Sequence, residues 1–523
     1  MSNWNYERLY DFGSGTYRTT STIDPKFPNG AVYEMRNMLW EGDSNNPEGM
    51  WGATQLGTTA MGGTVSGLFD YDKGTKLIAA AEDGKIYEYN GSDWAAESGA
   101  RASSNVAAGT AADVRWSGAM FYGATTTANL LVLCNDHDND DPAKYDGSNV
   151  TDLGGSPPGN GKFPVAWQGR LWMADLSTLH YSAVDDCEDW STAGGGGSIN
   201  IYRGFDGDIT GLAAFGNNLF IFKRSSVFRI GPTASFSQIN VRNVSSVNGC
   251  VGHKTIAEGE IGDRNVLFWM SEHGIEALAP SSSSAGFEPV DLSRAIEPIF
   301  DSRNLAGMNT AHGMFNLKRK EYYAYYAAGT ATIPSTALVG NTSRSRRPAR
   351  WSVLDRPNLT AGTILNESNV DYIQFVGDNA GKVYKMHVKN TTNWGGSTFL
   401  RRLVTKFYTE GAPEHMKKYG WTFVSADKHQ NDPVTVRQNL LRQGLPTMPS
   451  GNTDPYEVSG ALGWGAGEWG SEPWGGTGEV GVRMRPKVAN RAAGLQLIVE
   501  GHTWWRLKGL TIASRKRSDK VAA

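Results

Sequence analysis

The residues able to do chemistry are few and scattered. His253, His273, His312 and His502 stand far apart, and none is spaced to join a nucleophile and an orienting carboxylate. Ser182 lies in no G-x-S-x-G elbow. No G-x-G-x-x-G follows a strand, and no G-x-x-x-x-G-K-[ST] occurs, so nucleotide binding has no motif behind it. Asp175, Asp185, Asp186 and Glu188 could furnish an acid/base pair in a glycosidase or lyase, but their spacing singles none of them out. The run Asp136, Asp138, Asp140, Asp141 resembles the start of a calcium loop. Its sixth position is Asp141 where glycine is needed and its twelfth is Gly147 where glutamate is needed, so it reads as a hydrated turn. Cys134, Cys187 and Cys250, at spacings of 53 and 63 residues, form neither a disulfide framework nor a zinc motif and are expected to be free thiols. No catalytic residue, cofactor or metal is assigned.

Two clusters point to contact rather than catalysis. Arg344, Arg346 and Arg347, followed by Arg350, lie in or just after the Ser/Thr-rich loop 330–348. Arginines there can meet phosphates or the acidic rim of another subunit, or simply stay solvated. Within the Gly-, Pro- and Trp-rich stretch 443–476, Trp464, Trp469 and Trp474 recur every five residues in GALGWGAGEWGSEPWGG. Indoles in such glycine form no regular helix and are expected to anchor in a pocket. That pocket can belong to this chain, to a neighbouring subunit, or be replaced by a sugar.

The elements that must carry these residues are strands. The chain has 523 residues, a formal charge of -3, 20% charged residues, 63 glycines and 11% aromatics. That composition builds a core and argues against wholesale disorder and against a general nucleic-acid coat. No run of 18 apolar residues suggests a membrane helix, and residues 1–12 lack the apolar segment of a signal peptide. From residue 65 on, short apolar runs alternate with turn signals such as Asp83-Gly84, Asn90-Gly91 and Gly216-Asn217-Asn218. Taking Tyr89, Tyr145, Tyr181, Phe228, Ile275, Tyr323 and Tyr384 as markers of successive units gives steps of 56, 36, 47, 47, 48 and 61. Their mean, about 49, matches a propeller blade of roughly 40–50 residues. One or two antiparallel sandwiches are the other arrangement such strands allow.

The fold expected is therefore all-β: a β-propeller-like body of six or seven irregular blades over 61–392, preceded by an extended N-terminal arm over 1–60. A small C-terminal β-sandwich or barrel over 393–513 carries the Gly/Trp-rich insert, and 514–523 form a basic tail expected to be unstructured. An arm of that length needs something to lie against, in this chain or in a neighbour.

Several stretches resemble a known family. Gly30-Ala31-Val32-Tyr33-Glu34-Met35-Arg36-Asn37-Met38 looks like the opening of podovirus-type phage tail nozzle or tail hub proteins. Asp83-Gly84-Lys85-Ile86-Tyr87 and Tyr89-Asn90-Gly91 are similar to their blades. Gly494-Leu495-Gln496-Leu497 and Trp505-Arg506-Leu507-Lys508-Gly509-Leu510 are similar to their last hairpin. The resemblance implies a structural virion protein and not an enzyme, made in the host cytoplasm and placed in the virion tail. It implies a hexameric ring below the portal-adaptor ring, with tail fibres or a spike as further partners. Such a ring continues the DNA channel, lets double-stranded DNA pass without specific binding, and helps retain and eject the genome. The alternative is a propeller-fold carbohydrate-active enzyme or carbohydrate-binding protein.

Overall fold

The computed structural model describes residues 5–24, 26–42, 44–97, 115–123, 129–135, 141–202, 204–232, 239–280, 286–344, 349–367, 371–410, 412–428, 434–442, 445–447, 456–458, 480–484 and 491–521. Its body is a β-propeller of seven four-stranded antiparallel blades. Blades 1 to 6 take their strands in chain order, between Val65 and Ala96, Ser117 and Asp152, Lys162 and Asn200, Gly211 and Ser245, Ala257 and Asp291, and His312 and Leu354. Blade 7 has three consecutive strands, Leu359–Glu367, Asp371–Asp378 and Val383–Lys385. Its fourth is Thr54–Leu56, from ahead of blade 1. The ring closes there, and Thr360 Oγ1 in blade 7 donates to the Val65 carbonyl of blade 1 at 2.7 Å.

Local chemistry makes the blades. In blade 1, Gly84 and Gly91 take positive φ, and the Asn90 side chain accepts the Ser92 and Asp93 N–H groups, fixing the turn that returns the chain. Second strands are covered on both faces by adjacent blades, so Leu130–Cys134 (LLVLC) and Asn218–Phe222 (NLFIF) are buried throughout. Tyr71, Ile78 and Ile86 of blade 1 pack with Trp116, Leu131 and Tyr145 of blade 2 in one such seam. Each of the seven marker residues falls in a different blade, six in a third strand and Tyr323 in a second.

A stricter repeat lies in the innermost strands. Gly67, Gly118, Gly211, Gly259, Gly313 and Gly362 each occupy the first strand of a blade, and a Cβ on any of them would stand within 3.0 Å of a neighbouring atom. Neighbouring side chains, such as Phe69 at Gly67 and Gly118 and Phe315 at Gly259, fill the space a Cβ would take. Lys254, at the start of blade 5, reaches across the centre. Its Nζ donates to the Ser66 carbonyl of blade 1 at 2.6 Å and the Thr360 carbonyl of blade 7 at 3.4 Å.

The remainder is a second β unit built from both ends of the chain. Residues 1–60, expected as an extended arm lying against this chain or a neighbour, contribute six short strands to its sheets in their described part. Asn5–Leu9 pairs with Trp505–Val521, Ala31–Arg36 pairs with Arg401–Thr405, and Met38–Trp40 pairs with Pro47–Gly49. The segment 514–523, expected as a loose tail, runs on as strand to Val521, with Ser514 opposite both Asn5 and Tyr419. The reason is a shared core: Phe12, Val32, Met35, Met38 and Trp40 pack against Leu403, Tyr419, Val424, Leu497 and Leu510. One sheet of this platform is continuous with blade 6, since Arg36 pairs with Val353 in the blade's outer strand. Among the described residues the one α-helix is Glu297–Phe300, and no helix is long and apolar enough to cross a membrane.

Candidate functional site

The joint between platform and propeller is held by buried polar side chains aimed at backbone. Asn37 is 3% exposed with φ +52°, a left-handed conformation that asparagine tolerates. Its N–H donates to Val353 O, its Nδ2 to Leu400 O at 2.7 Å, and its Oδ1 accepts the Asp355 N–H at 2.9 Å. Arg401, fully buried, donates through Nε and Nη2 to Met50 O at 2.9 and 2.7 Å and through Nη1 to His502 O, lying over the Phe399 ring. Burial and the nearby Arg356 pull its guanidinium down to about 9. Arg350 is bound to Ser44 O, Gly42 O and Asn341 Oδ1. At the rim Arg506 joins Glu48 and Glu41, while desolvation raises the Glu48 carboxyl. The joint is thus held by hydrogen bonds from several sides.

The platform's outer face bears a cluster of aromatic side chains. Along Asn5–Leu9 and into Tyr10, Leu9 turns toward the core while Tyr6 and Tyr10 turn outward. Along His415–Lys428, Thr422 and Val424 turn in while Trp421 and Phe423 turn out. Both strands flank Trp505–Val521: Tyr6 is opposite Ala513, Arg8 is opposite Thr511, and Thr511 is opposite Phe423. The central strand offers Gly509, where a Cβ would come within 2.6 Å of the Tyr10 ring, so that ring lies directly on the backbone. Tyr6, Tyr10, Trp421 and Phe423 are 62, 61, 40 and 40% exposed. Large aromatics gathered on one sheet face mark a contact surface. The alternations in Tyr6-Glu7-Arg8-Leu9-Tyr10 and Trp421-Thr422-Phe423-Val424 were the available sequence signal for it.

Of the residues singled out by sequence, Arg344 binds its own chain, donating to Gly13 O at 3.0 Å and to Asn45 Oδ1. Arg346, Arg347, Trp464, Trp469 and Trp474 lie outside the described residues, as do Asp136, Asp138 and Asp140. Glu188 is anchored by Lys144 Nζ at 2.7 Å and the Gly154 N–H, and Asp186 Oδ1 accepts the Glu188 N–H, so these carboxylates tie the connection between the third and fourth strands of blade 3 to blade 2. Cys134, Cys187 and Cys250 are buried free thiols, and burial raises Cys187 to about 12 and Cys250 to about 11. Among the described residues no three His, Cys, Asp or Glu side chains gather as a metal site.

No protein-family model and no curated protein matches the chain. Similar solved structures include YCF48 from Cyanidioschyzon merolae, at 12% identity and a TM-score of 0.41, covering 65% of this chain and all of that one. Another is the extracellular domain of the putative one-component system BT4673 from B. thetaiotaomicron, at 10% identity and a TM-score of 0.41. That match covers 71% of this chain and 43% of the other, so less than half of the relative is spanned.

Proposed function

We propose that the chain is a structural ring subunit of a phage tail, a nozzle or hub that continues the DNA channel and helps retain and eject the genome. The observation that carries this reading is the aromatic platform face on a unit hydrogen-bonded to the propeller from several sides. A ring subunit needs a lateral surface whose orientation is fixed relative to its body, because a heterologous contact closes only at one rotation. Tyr6, Tyr10, Trp421 and Phe423 offer such a surface, and burying it contributes roughly 25 cal/mol per Å² of apolar area. The family resemblance of the 30–38 and 494–510 stretches and the near-neutral charge of -3, which lets DNA slide instead of gripping it, point the same way. Six copies, docked on the portal-adaptor ring and carrying fibres or a spike, complete the proposal.

Electron microscopy and mass determination of particles and of the isolated protein test it. A six-fold ring at the tail is expected, and Tyr6→Ser with Phe423→Ser should lower its occupancy in particles while the far-ultraviolet circular dichroism stays β-type. Absence of the protein from particles overturns the reading.

A further inference from the structure

Charge is divided unevenly along this chain. Residues 61–200, which build blades 1 to 3, hold 19 acidic and 8 basic residues. Residues 393–523, which supply the platform's C-terminal strands, hold 11 acidic and 18 basic. The near-neutral total of -3 therefore conceals an acidic region and a basic one.

The basic side shows on the platform's aromatic face. Arg8, Lys418 and Arg515 are exposed there, and among the described residues none of the three enters an ion pair. Lys418 is directly opposite Arg515 across the ladder, and Arg8 and Phe423 flank Thr511. Like charges directly opposite destabilise a sheet, so this face gains from carboxylates supplied by a partner. Asp427, on the same strand as Lys418, is already bound to Lys508 at 3.0 Å.

The acidic side shows on one face of blades 1 to 3. In an antiparallel blade the turns after the first and third strands lie on the same side. On that side blade 1 presents Asp72, blade 2 presents Asp146, and blade 3 presents Asp185 and Asp186. Apolar surface lies among them, since Tyr122 and Val184 are 48 and 49% exposed. Burial and the carboxylates of Asp72 and Asp70 raise the Tyr122 phenol, and a Cβ on Gly123 would stand 2.7 Å from the Asp185 carbonyl, so the patch runs without a break from blade 1 to blade 3. Lys73 lies over the Tyr122 ring at 5.6 Å and Lys144 is bound to Glu188, so the patch keeps its acidic excess.

Position decides the partner. The platform joins blade 6 through Arg36 and Val353, and in a ring of seven blades the point across from blade 6 lies between blades 2 and 3. One chain thus carries two complementary surfaces at opposite ends, which is what a heterologous ring contact requires. We infer that the platform face of one copy docks on the acidic face of blades 1 to 3 of a second copy of this chain. The cations meet the carboxylates, and the aromatic rings cover Tyr122 and Val184. This rests on the reading of the platform face as a lateral ring surface and names what that surface meets.

Sedimentation of the full chain over a wide concentration range tests it. The wild type should associate, and less so as salt rises. Arg8→Glu with Lys418→Glu, and separately Asp72→Lys with Asp146→Lys, should each weaken association at least about tenfold, with circular dichroism still β-type. Mixing the two reversed proteins should restore association, because every junction between unlike copies then pairs opposite charges. Asp72→Asn with Asp146→Asn keeps side-chain acceptors in both turns and should weaken association several-fold. A wild type that stays monomeric, a mixture no better than its parts, or unchanged association in the asparagine variant overturns the docking. So does a monomeric wild type that binds a short DNA duplex through Arg8 and Lys418, which makes nucleic acid the occupant. Microscopy of particles reads the tail proposal separately. A protein present in tails but monomeric in solution overturns the docking alone, and one that associates as expected but is absent from particles overturns the tail reading alone.

Discussion

Single residues show where this protein tolerates unfavourable chemistry. Glu276, 1% exposed in blade 5, sits opposite Asp291 on the paired strand, and burial with that neighbour pushes its carboxyl up to about 7. The folded chain therefore holds a proton that the unfolded chain releases near its ordinary value of 4.5. Stability should fall as pH rises from about 4.5 to about 7 and level off above, because the native state binds more protons in that window. Glu276→Gln keeps an acceptor for Ser271 Oγ and removes the ionisation. It should flatten this slope and stabilise the protein by on the order of 1 kcal/mol at pH 8, measured by urea unfolding at several pH values. A steeper slope in the variant would contradict the assignment. None of this was legible in the sequence, where Glu276 is one acid among 53 acidic residues. Its burial arises from strand pairing that only the fold defines. The places of Asn37, Arg350 and Arg401 in the joint were hidden for the same reason, since each is set by carbonyls distant in sequence, although Arg350 stood out as part of the arginine cluster.

At the scale of elements, the inner-strand glycines make the sharpest test of how the blades meet. A Cβ on Gly259 would lie 2.3 Å from the Phe315 ring of the next blade. Gly259→Ala should therefore cost roughly 1–3 kcal/mol through overpacking. Gly231→Ala, where the nearest atom is 3.7 Å away, should change stability by less than about 0.5 kcal/mol. Denaturant midpoints followed by tryptophan fluorescence compare the two, and equal effects would refute the tight packing. Strands and turns were readable because Asp-Gly and Asn-Gly pairs and apolar runs are local signals, and the seven markers, six aromatic residues and Ile275, landed one per blade. The glycines at 67, 118, 211, 259, 313 and 362 carry the same repeat from the inner strands, the step from 118 to 211 spanning two blades. The closing strand Thr54–Leu56 gave no such signal. Its three residues are ordered by Val383–Lys385, more than 300 positions away, and nothing in Thr-Gln-Leu says so.

For the whole molecule the decisive fact is that the ends of the chain fold together. The platform needs strands from before blade 1 and after blade 7, so the propeller is an insertion within it. Sequence order separates an arm from a C-terminal domain, whereas packing merges them, and Asn37 stands where the merged unit meets blade 6. It links Val353, Leu400 and Asp355 by side chain and backbone, and its carbonyl accepts the Met50 N–H at 3.0 Å. If these bonds transmit stability, the wild-type chain should unfold in one calorimetric transition, with fluorescence and circular dichroism melting together. Asn37→Ala strands the Leu400 carbonyl and the Asp355 N–H and places a Cβ-bearing residue without a compensating side-chain bond in a left-handed conformation. The joint loss is about 3 kcal/mol, enough to separate the platform's melting from the propeller's. Asn37→Gly relieves the backbone part alone and should fall between the two. One transition in all three proteins would show that the shared sheet, and not the asparagine, carries the coupling. Two transitions in the wild type would show that propeller and platform are independent, and the rigid lateral surface on which the ring proposal depends would be lost with it.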